Sequence, residues 1–284
     1  MNDAPGTGPL ISVVTPVRNG SRFLERLIQS VREQRYRLIE FVVIDDGSDD
    51  SGTTIEILKR HPEIKWWSRP NRGLFATLNE GILAARGDWV LLIAADDFIV
   101  DEMAIGDLVA DILAHPECQV AHGLTLHVDS DGKPLDDQPY QEFPYWMLRH
   151  VTFISHCSLL VRRQKLLEDG LLFDPTLRYV GDADWLARLY LAGYRFSRVQ
   201  RLVGAFRHHE EQTSELMVRD PDRARARRAE GRLFEERYGG GLPERWLAHG
   251  YVGLARRLKK VSTAYRRKGV GGVLRMVRQW IARW

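Results

Sequence analysis

The sequence predicts an α/β protein: a doubly wound, mostly parallel sheet followed by a basic helical extension. Three observations carry that expectation. Short apolar runs alternate with helix-patterned segments over residues 10–115, the rhythm of successive β-α-β units. The runs are apolar on consecutive residues, as strands covered on both faces must be. Two of them end in paired aspartates: Phe41-Val42-Val43-Ile44 runs into Asp45-Asp46, and Trp89-Val90-Leu91-Leu92-Ile93 reaches Asp96-Asp97 after two alanines. Ligands of open α/β sheets bind just beyond the carboxyl ends of the strands. Adjacent carboxylates there are costly unless a cation or hydrogen-bond donors lie between them. The pairs therefore point to a metal-bound, phosphate-bearing nucleotide.

Each element has its own signal. Leu10 to Thr15 reads as a buried strand. Ser21 is placed to cap a helix whose apolar stripe is Phe23, Leu24, Leu27, Ile28 and Val31. Ile39 to Ile44 is the second strand, and Ser51 to Arg60 the next helix, with Ile55 and Leu58 inward. Ile64 to Trp67 is a third strand. Leu74 to Ala85 is helical and stops at Gly87. Trp89 to Ile93 is the fourth strand, and Asp101 to His115 a helix ended by Pro116. Crossovers between parallel strands are right-handed. Beyond Pro116 the pattern changes. Gln119–Gly123 and Thr125–Val128 read as strands, Asp129 to Gly132 as a turn, and Asp136 to Pro144 as a loop. Asp182 to Ala192 is a helix with Trp185, Leu186 and Leu189 spaced to pack. Arg198 to Ala205 is strand-like, and Pro221 to Tyr238 is a charged helix ended by Gly239-Gly240-Gly241.

The chain has 284 residues, 44% hydrophobic and 28% charged, which suits one large soluble domain with an appendage. Cys118 and Cys157 are too few for a disulfide framework, so a reduced, cytoplasmic setting is expected. Met1 to Pro9 lacks the basic and apolar regions of a signal peptide. No stretch approaches the ~18 apolar residues that span a bilayer. The net charge of +3 hides an asymmetry: from Arg245 to Trp284 there are 11 Lys/Arg and no Asp or Glu. Leu247, Tyr251, Leu254, Leu258, Val261 and Tyr265 make one apolar stripe there. Val270, Val273, Leu274, Val277, Ile281 and Trp284 make a second. Two basic amphipathic helices result, suited to an anionic membrane surface or to packing on the catalytic domain or a partner. No nucleic-acid-binding motif accompanies the charge. Pro16-Val17-Arg18-Asn19-Gly20 is not a G-x-G-x-x-G loop, and no G-x-x-x-x-G-K-[ST] loop occurs, which disfavours dinucleotide binding and P-loop chemistry.

Five blocks then stand in order: Val13 to Asn19; Val43-Ile44-Asp45-Asp46-Gly47-Ser48; Asn71-Arg72-Gly73 with Asn79-Glu80-Gly81; Ala95-Asp96-Asp97; and Gly181-Asp182-Ala183-Asp184-Trp185-Leu186. With these the chain resembles the family 2 glycosyltransferases, whose Rossmann-like fold is called GT-A, over roughly Ile11 to Ser214. The resemblance implies an inverting transfer of a sugar from a nucleoside-diphosphate-sugar to a hydroxyl of a glycan or lipid-linked acceptor, in cell-surface polysaccharide synthesis. It implies a divalent metal, Mn²⁺ or Mg²⁺, bridging the phosphates as the diphosphate leaves. It places Asp45 on the nucleotide base with Asp46 beside it, and Thr15, Pro16 and Asn19 lining the same base. Arg72 faces the nucleotide. Asp96 and Asp97 form the metal and ribose site, Asp97 foremost as ligand. Asp182 is the general base that takes the acceptor proton. His209, in an Arg-x-His block, meets the metal or a phosphate, with His208 as the adjacent alternative. The implied division is a flexible 1–9, a donor half 10–115, an acceptor half 116–218 and the extension 219–284. The implied location is the inner face of the cytoplasmic membrane.

The residues also have plainer uses. Asp45 can close an Asx-turn, Asp182 can cap its helix, Asp96 and Asp97 can end a strand, and Arg72 and the histidines can lie on the surface. Asp184 points roughly 200° away from Asp182 around a helix and cannot share its role. His156 lies in the segment Phe153–Arg163, which is near the acceptor in relatives. Tyr145 and Trp146 can stack on a sugar or anchor the core. Two positions depart from the family pattern: Ala94, where relatives carry Asp or Asn, and Gly181, where they carry Glu. A nucleotidyltransferase, or a non-catalytic glycan- or membrane-binding scaffold, would share the fold. No residue fixes an oligomeric state.

Overall fold

The computed structural model describes residues 8–139, 141–255 and 259. Its strands are β1 (Ile11–Val17), β2 (Ile39–Asp45), β3 (Lys65–Ser68), β4 (Trp89–Leu92), β5 (Phe98–Ile99), β6 (Val120–Val128), β7 (Leu159–Arg162) and β8 (Phe196–Arg207). The helices are α1 (Leu24–Arg32), α2 (Thr53–Lys59), α3 (Leu74–Ala84), α4 (Ala104–Ala114), α5 (Arg163–Glu168), α6 (Gly181–Leu191), α7 (Thr213–Arg219) and α8 (Pro221–Tyr238). All the strands join one sheet in the order β3-β2-β1-β4-β7-β6-β8-β5.

The first half is the parallel, doubly wound sheet that the apolar runs predict. β1 pairs in parallel with β2 and β4, and β2 with β3. Alternate residues of each run serve opposite faces. Val14, Val42, Ile44, Val90 and Leu92 pack with Phe75, Leu78 and Ile82 of α3 and with Trp185 and Leu189 of α6. Ile11, Val13 and Leu91 pack with Leu27 of α1 and with Ile105, Leu108 and Ile112 of α4. Burial on both faces is why these runs show no alternation.

The second half is mixed. β7 is antiparallel to β4 and β6, β8 is parallel to β6, and β5 is antiparallel to β8. β7 is reached through a loop with 3₁₀ turns at Tyr145–Arg149 and His156–Ser158, not through a crossover helix, so it is free to run the opposite way. The two strands expected at 119–128 are one bulged strand. Its register shifts between His122 and Thr125, where a Cβ on Gly123 would lie 2.4 Å from Val203. The loop at 136–144 is held to β6 by side chains: the Gln138 and Gln141 amides both donate to and accept from the backbones of His127 and Thr125 at 2.7 Å.

Three local expectations change. Ser21 does not cap α1; the N–H groups of Phe23 and Leu24 donate to the Gly20 carbonyl. Gly87 does not cap α3, which ends at Ala84 with an extended Ala85. Gly87 instead lies against β1, where a Cβ would meet Ser12 at 2.5 Å. The helix expected from Ser51 starts at Thr53, because Ser51 and Gly52 adopt positive φ, and Asp50 accepts from Thr54 N and Oγ1. Both cysteines are buried thiols. Residues 242–255 are helical. The rest of the basic tail, including the stripe from Val270 to Trp284, and residues 1–7 lie outside the described residues, apart from residue 259. No helix among the described residues is long and apolar enough to cross a membrane.

Candidate active site

A cleft of about 620 Å³ opens at the carboxyl ends of β1 and β2. Pro16, Val17 and Arg18 form one wall with Asp46 and with residues 71–75 at the start of α3. Residues 175–178, Thr213 and Arg223 form the other. Of the residues singled out in the sequence, Pro16, Asp46 and Arg72 line it directly.

Asp45 and Asp46 have different surroundings. Asp45 is buried at the end of β2 and accepts from Ser48 N and Oγ and from Ser68 Oγ at 2.6 Å. It closes the turn and joins β2 to β3. Asp46 accepts from the N–H groups of Arg72 (2.7 Å) and Gly73 (3.0 Å) and pairs with the Arg69 guanidinium. Arg69 also donates to Glu80 at 2.6 Å and to Thr77 at 3.0 Å. This hub has no counterpart in the sequence reading. Asn19 sits at positive φ. Its amide donates to Asp49 and its carbonyl oxygen accepts from Asp49 N, so it staples the β1 loop to the β2 loop. Thr15 Oγ1 is buried without a hydrogen-bond partner.

The second acidic pair follows β4. Asp97 is buried, and its Oδ1 accepts from Arg207 N at 2.9 Å. Burial, and then the neighbouring Asp96 charge, push the Asp97 carboxyl well above its usual range. Asp96 is more open, and its Oδ2 lies 3.0 Å from His209 Nε2. Arg207 organises the pair: its Nε donates to the Asp96 carbonyl, and its guanidinium stacks over Phe23 and Phe98. His209 packs on Phe23 from the same side, and its Nδ1 is buried without a partner. His208 turns away; its Nε2 lies 2.9 Å from His127 Nδ1 and its Nδ1 lies 3.3 Å from Glu215. The structure thus brings together Asp96 and His209, 113 residues apart in the chain, and buries Asp97 beside them.

Asp182 occupies the first turn of α6, where Val180 is the N-cap and the Asp182 carboxylate accepts from Ala183 N at 2.8 Å. It is not the N-cap that the plainer reading offered. Its neighbour Gly181 lies against Phe75, a cleft residue; a Cβ there would fall 2.3 Å from the ring. Any side chain at 181 would have to displace the Phe75 ring, which gives the departure from Glu a steric account. Asp184 is buried and tied to Arg188 and Tyr238. Tyr145 stacks on Phe196 and lies 3.2 Å from His122, and Trp146 packs on the core. Both are anchors of the fold. His156 lies beneath β4, with Nδ1 at 3.3 Å from the Leu92 carbonyl.

The profile of Glycosyl transferase family 2 matches residues 12–170. The chain belongs to that family. Its curated relatives include an "Uncharacterized glycosyltransferase" of Rickettsia felis, 28% identical over 216 residues, covering 72% of this chain and 35% of the relative. The O-antigen biosynthesis protein RfbC of Myxococcus xanthus is 33% identical over 174 residues, 57% of this chain and 13% of the relative. The chain thus spans about a third or less of the length of these relatives. Among solved structures, S. aureus TarS 1-349 in complex with UDP-GlcNAc aligns with a TM-score of 0.60 at 18% identity, over 93% of this chain and 89% of that one. The mannosyltransferase PcManGT from Pyrobaculum calidifontis, in complex with GDP-Man and Mn²⁺, aligns at 0.55 and 16%, over 95% and 88%. At such identity the likeness shows the fold: a mixed-sheet GT-A fold with a C-terminal helical extension.

Proposed function

We propose that the protein is an inverting glycosyltransferase that moves a sugar from a nucleoside-diphosphate-sugar to a hydroxyl of a glycan or lipid-linked acceptor, in polysaccharide synthesis. One observation carries this reading. A cleft at the carboxyl ends of β1 and β2 is lined by Pro16, Asp46 and Arg72, and Gly181, the residue before Asp182, lies against its Phe75 wall. Residues 10–115 hold the donor and residues 116–218 contribute the acceptor side. Asp45 receives an N–H of the base, and Thr15, Pro16 and Asn19 shape its seat. Arg72 meets phosphate. Asp182 accepts the proton of the acceptor hydroxyl, whose oxygen forms the new bond to the anomeric carbon. The bond from that carbon to the diphosphate breaks on the opposite face.

The donor set fits a divalent cation. Asp96 and His209 offer a hard oxygen and a nitrogen 3.0 Å apart. Among the described residues no three His, Cys, Asp or Glu side chains gather to hold a metal, so phosphates and water would complete the shell, as Mg²⁺ sites commonly require. A Mn²⁺ or Mg²⁺ ion held there would supply Lewis-acid stabilisation for the negative charge of a departing diphosphate. Asp97 supports Asp96 from behind. A peripheral position on the inner face of the cytoplasmic membrane is part of the reading. Leu242, Trp246, Leu247 and Leu254 are exposed on the helix at 242–255, at the start of the stretch with 11 cations and no carboxylate.

Two measurements test the proposal. Thermal shift against UDP-, GDP- and dTDP-sugars, with and without Mn²⁺, should show stabilisation by one of them that Mn²⁺ strengthens; none under any condition refutes donor binding. Asp182→Asn should abolish transfer and leave nucleotide binding intact. Near-normal turnover in that variant removes Asp182 from the base role.

A further inference from the structure

Helix α8 grips the chain on both sides of Asp182. The Glu230 carboxylate accepts from three successive backbone N–H groups, those of Arg178 (3.0 Å), Tyr179 (2.7 Å) and Val180 (3.1 Å). Further along α8, the Tyr238 hydroxyl donates to Asp184 Oδ1 at 2.6 Å. Phe234, between them, is buried. Residues 230, 234 and 238 recur every fourth position and therefore share one face of α8. That face fixes the residues immediately before Asp182 and the residue two beyond it. The same helix sends Arg223 into the cleft that Arg72 also lines, and Arg178 lines the cleft from the segment that Glu230 holds.

The start of α6 has little freedom. Gly181 already approaches Phe75 so closely that a Cβ would overlap the ring. A shift of α6 toward α3 is blocked, and a shift away would carry Asp182 farther from Phe75 of the cleft wall. Hydrogen bonds to an ionised carboxylate are the strong class, and three of them set both the position and the direction of the 178–180 backbone. The Asp182 carboxylate itself accepts from its neighbouring Ala183 N–H, so its placement follows the backbone that carries it.

We propose that Glu230 is a positioning residue for the transfer reaction: by gathering the 178–180 amides it sets Asp182 at the distance from the donor at which it can take the acceptor proton, with Tyr238 completing the brace through Asp184. The inference rests on the reading of Asp182 as the base. α8 lies beyond residues 12–170, the stretch matched by the family profile.

The test uses the full chain with Glu230→Ala, Glu230→Gln and Tyr238→Phe, and with Glu230→Ala combined with Asp182→Asn. Release of nucleoside diphosphate from UDP-, GDP- and dTDP-sugars in Mn²⁺ supplies kcat and donor KM. Glu230→Ala should lower kcat roughly tenfold to a hundredfold with donor KM within about twofold, since misplacing a reacting group by about an ångström costs that much. Glu230→Gln keeps an amide oxygen for the Tyr179 and Val180 N–H groups but sets its NH2 against that of Arg178, so it should recover part of the loss. The double variant should be no slower than Asp182→Asn alone, because both changes act through one group. Should Glu230→Ala not fold, Tyr238→Phe, which removes the bond to Asp184, should lower kcat with donor KM unchanged and so provides the same comparison. A normal kcat in Glu230→Ala beside an inactive Asp182→Asn overturns the brace and leaves the base in place. So does a loss that appears in KM alone, or one that multiplies with that of Asp182→Asn. Near-normal turnover in Asp182→Asn instead overturns the base assignment, and the brace with it.

Discussion

Replacing Arg69 with methionine should destabilise the protein by about 3 kcal/mol, the lower end of the cost of removing one partner from a buried ion pair. The aliphatic stem survives, so the change isolates the charge and the donors. The Arg69 side chain is 10% exposed, Asp46 8% and Glu80 29%. The guanidinium donates to Asp46, to Glu80, to Thr77 and to the Pro70 carbonyl. Burial opposes ionisation of Glu80, but hydrogen bonds from Trp67 and Arg69 outweigh it and hold its carboxyl below the usual range. Without Arg69, Asp46 keeps two backbone N–H donors and Glu80 keeps Trp67. These remaining bonds are why the low end of the range applies. An exposed pair would be worth only ~0–1 kcal/mol, so the two cases separate cleanly. Urea unfolding of the wild type and the variant gives the difference directly. Donor affinity should fall as well, because Asp46 orients the Arg72 and Gly73 amides on the cleft wall. A stability loss below about 1 kcal/mol would refute the reasoning, since the hub would then behave as surface charge.

Two further outcomes follow from single contacts. Gly181→Ala should cost about 1–3 kcal/mol through overpacking against Phe75, measured by the same unfolding assay, and Phe75→Leu in the same chain should recover part of it; equal losses with and without that change would contradict the steric account. His122 gives a pH dependence: burial, with the Arg198 charge adding to it, lowers its pKa from 6.5 to about 4. The unfolded chain therefore takes up a proton at a higher pH than the folded one. The contribution is complete above about pH 6.5 and is lost on acidification toward pH 4, amounting to about 2 kcal/mol at about pH 5. His122→Gln should flatten that part of the profile, and an unchanged slope would place the acid sensitivity elsewhere.

The parallel half of the sheet was legible because burial on both faces leaves an unbroken apolar run, as in Val42-Val43-Ile44 and Leu91-Leu92-Ile93. β5 was not, because Phe98–Ile99 is a strand only through its pairing with Gly204 and Ala205, more than a hundred residues away. Ser21 has the right chemistry for a cap, but the Gly20 carbonyl is better placed. The site divides in the same way. Asp45, Asp96 and Asp182 stand in motifs with fixed spacing. Arg69 does not: its partners lie 23 residues before it and 8 and 11 after it, with no period to announce them. Glu230 is less visible still, because it recognises backbone N–H groups about 50 residues away, and a backbone amide leaves no trace in the sequence of its partner.

The two departures from the family pattern have separate physical accounts. At Gly181 the cause is steric: α6 approaches Phe75 so closely that a Cβ would overlap the ring, so a glutamate there would require α6 or Phe75 to move. At Ala94 the cause is not steric. Its side chain is only partly buried, and what is missing is a polar group beside Asp96. His209 brings a nitrogen to 3.0 Å from that carboxylate, held there by Phe23 and by the Arg207 backbone, which Asp97 anchors. Asp97 thus matters through what it holds. Buried at the root of β8's end, it fixes Arg207, and Arg207 leads the chain directly to His209. The polar group absent beside Asp96 in sequence is matched in space by one from 113 residues away. Asp97, by holding the Arg207 N–H, is what makes that approach possible.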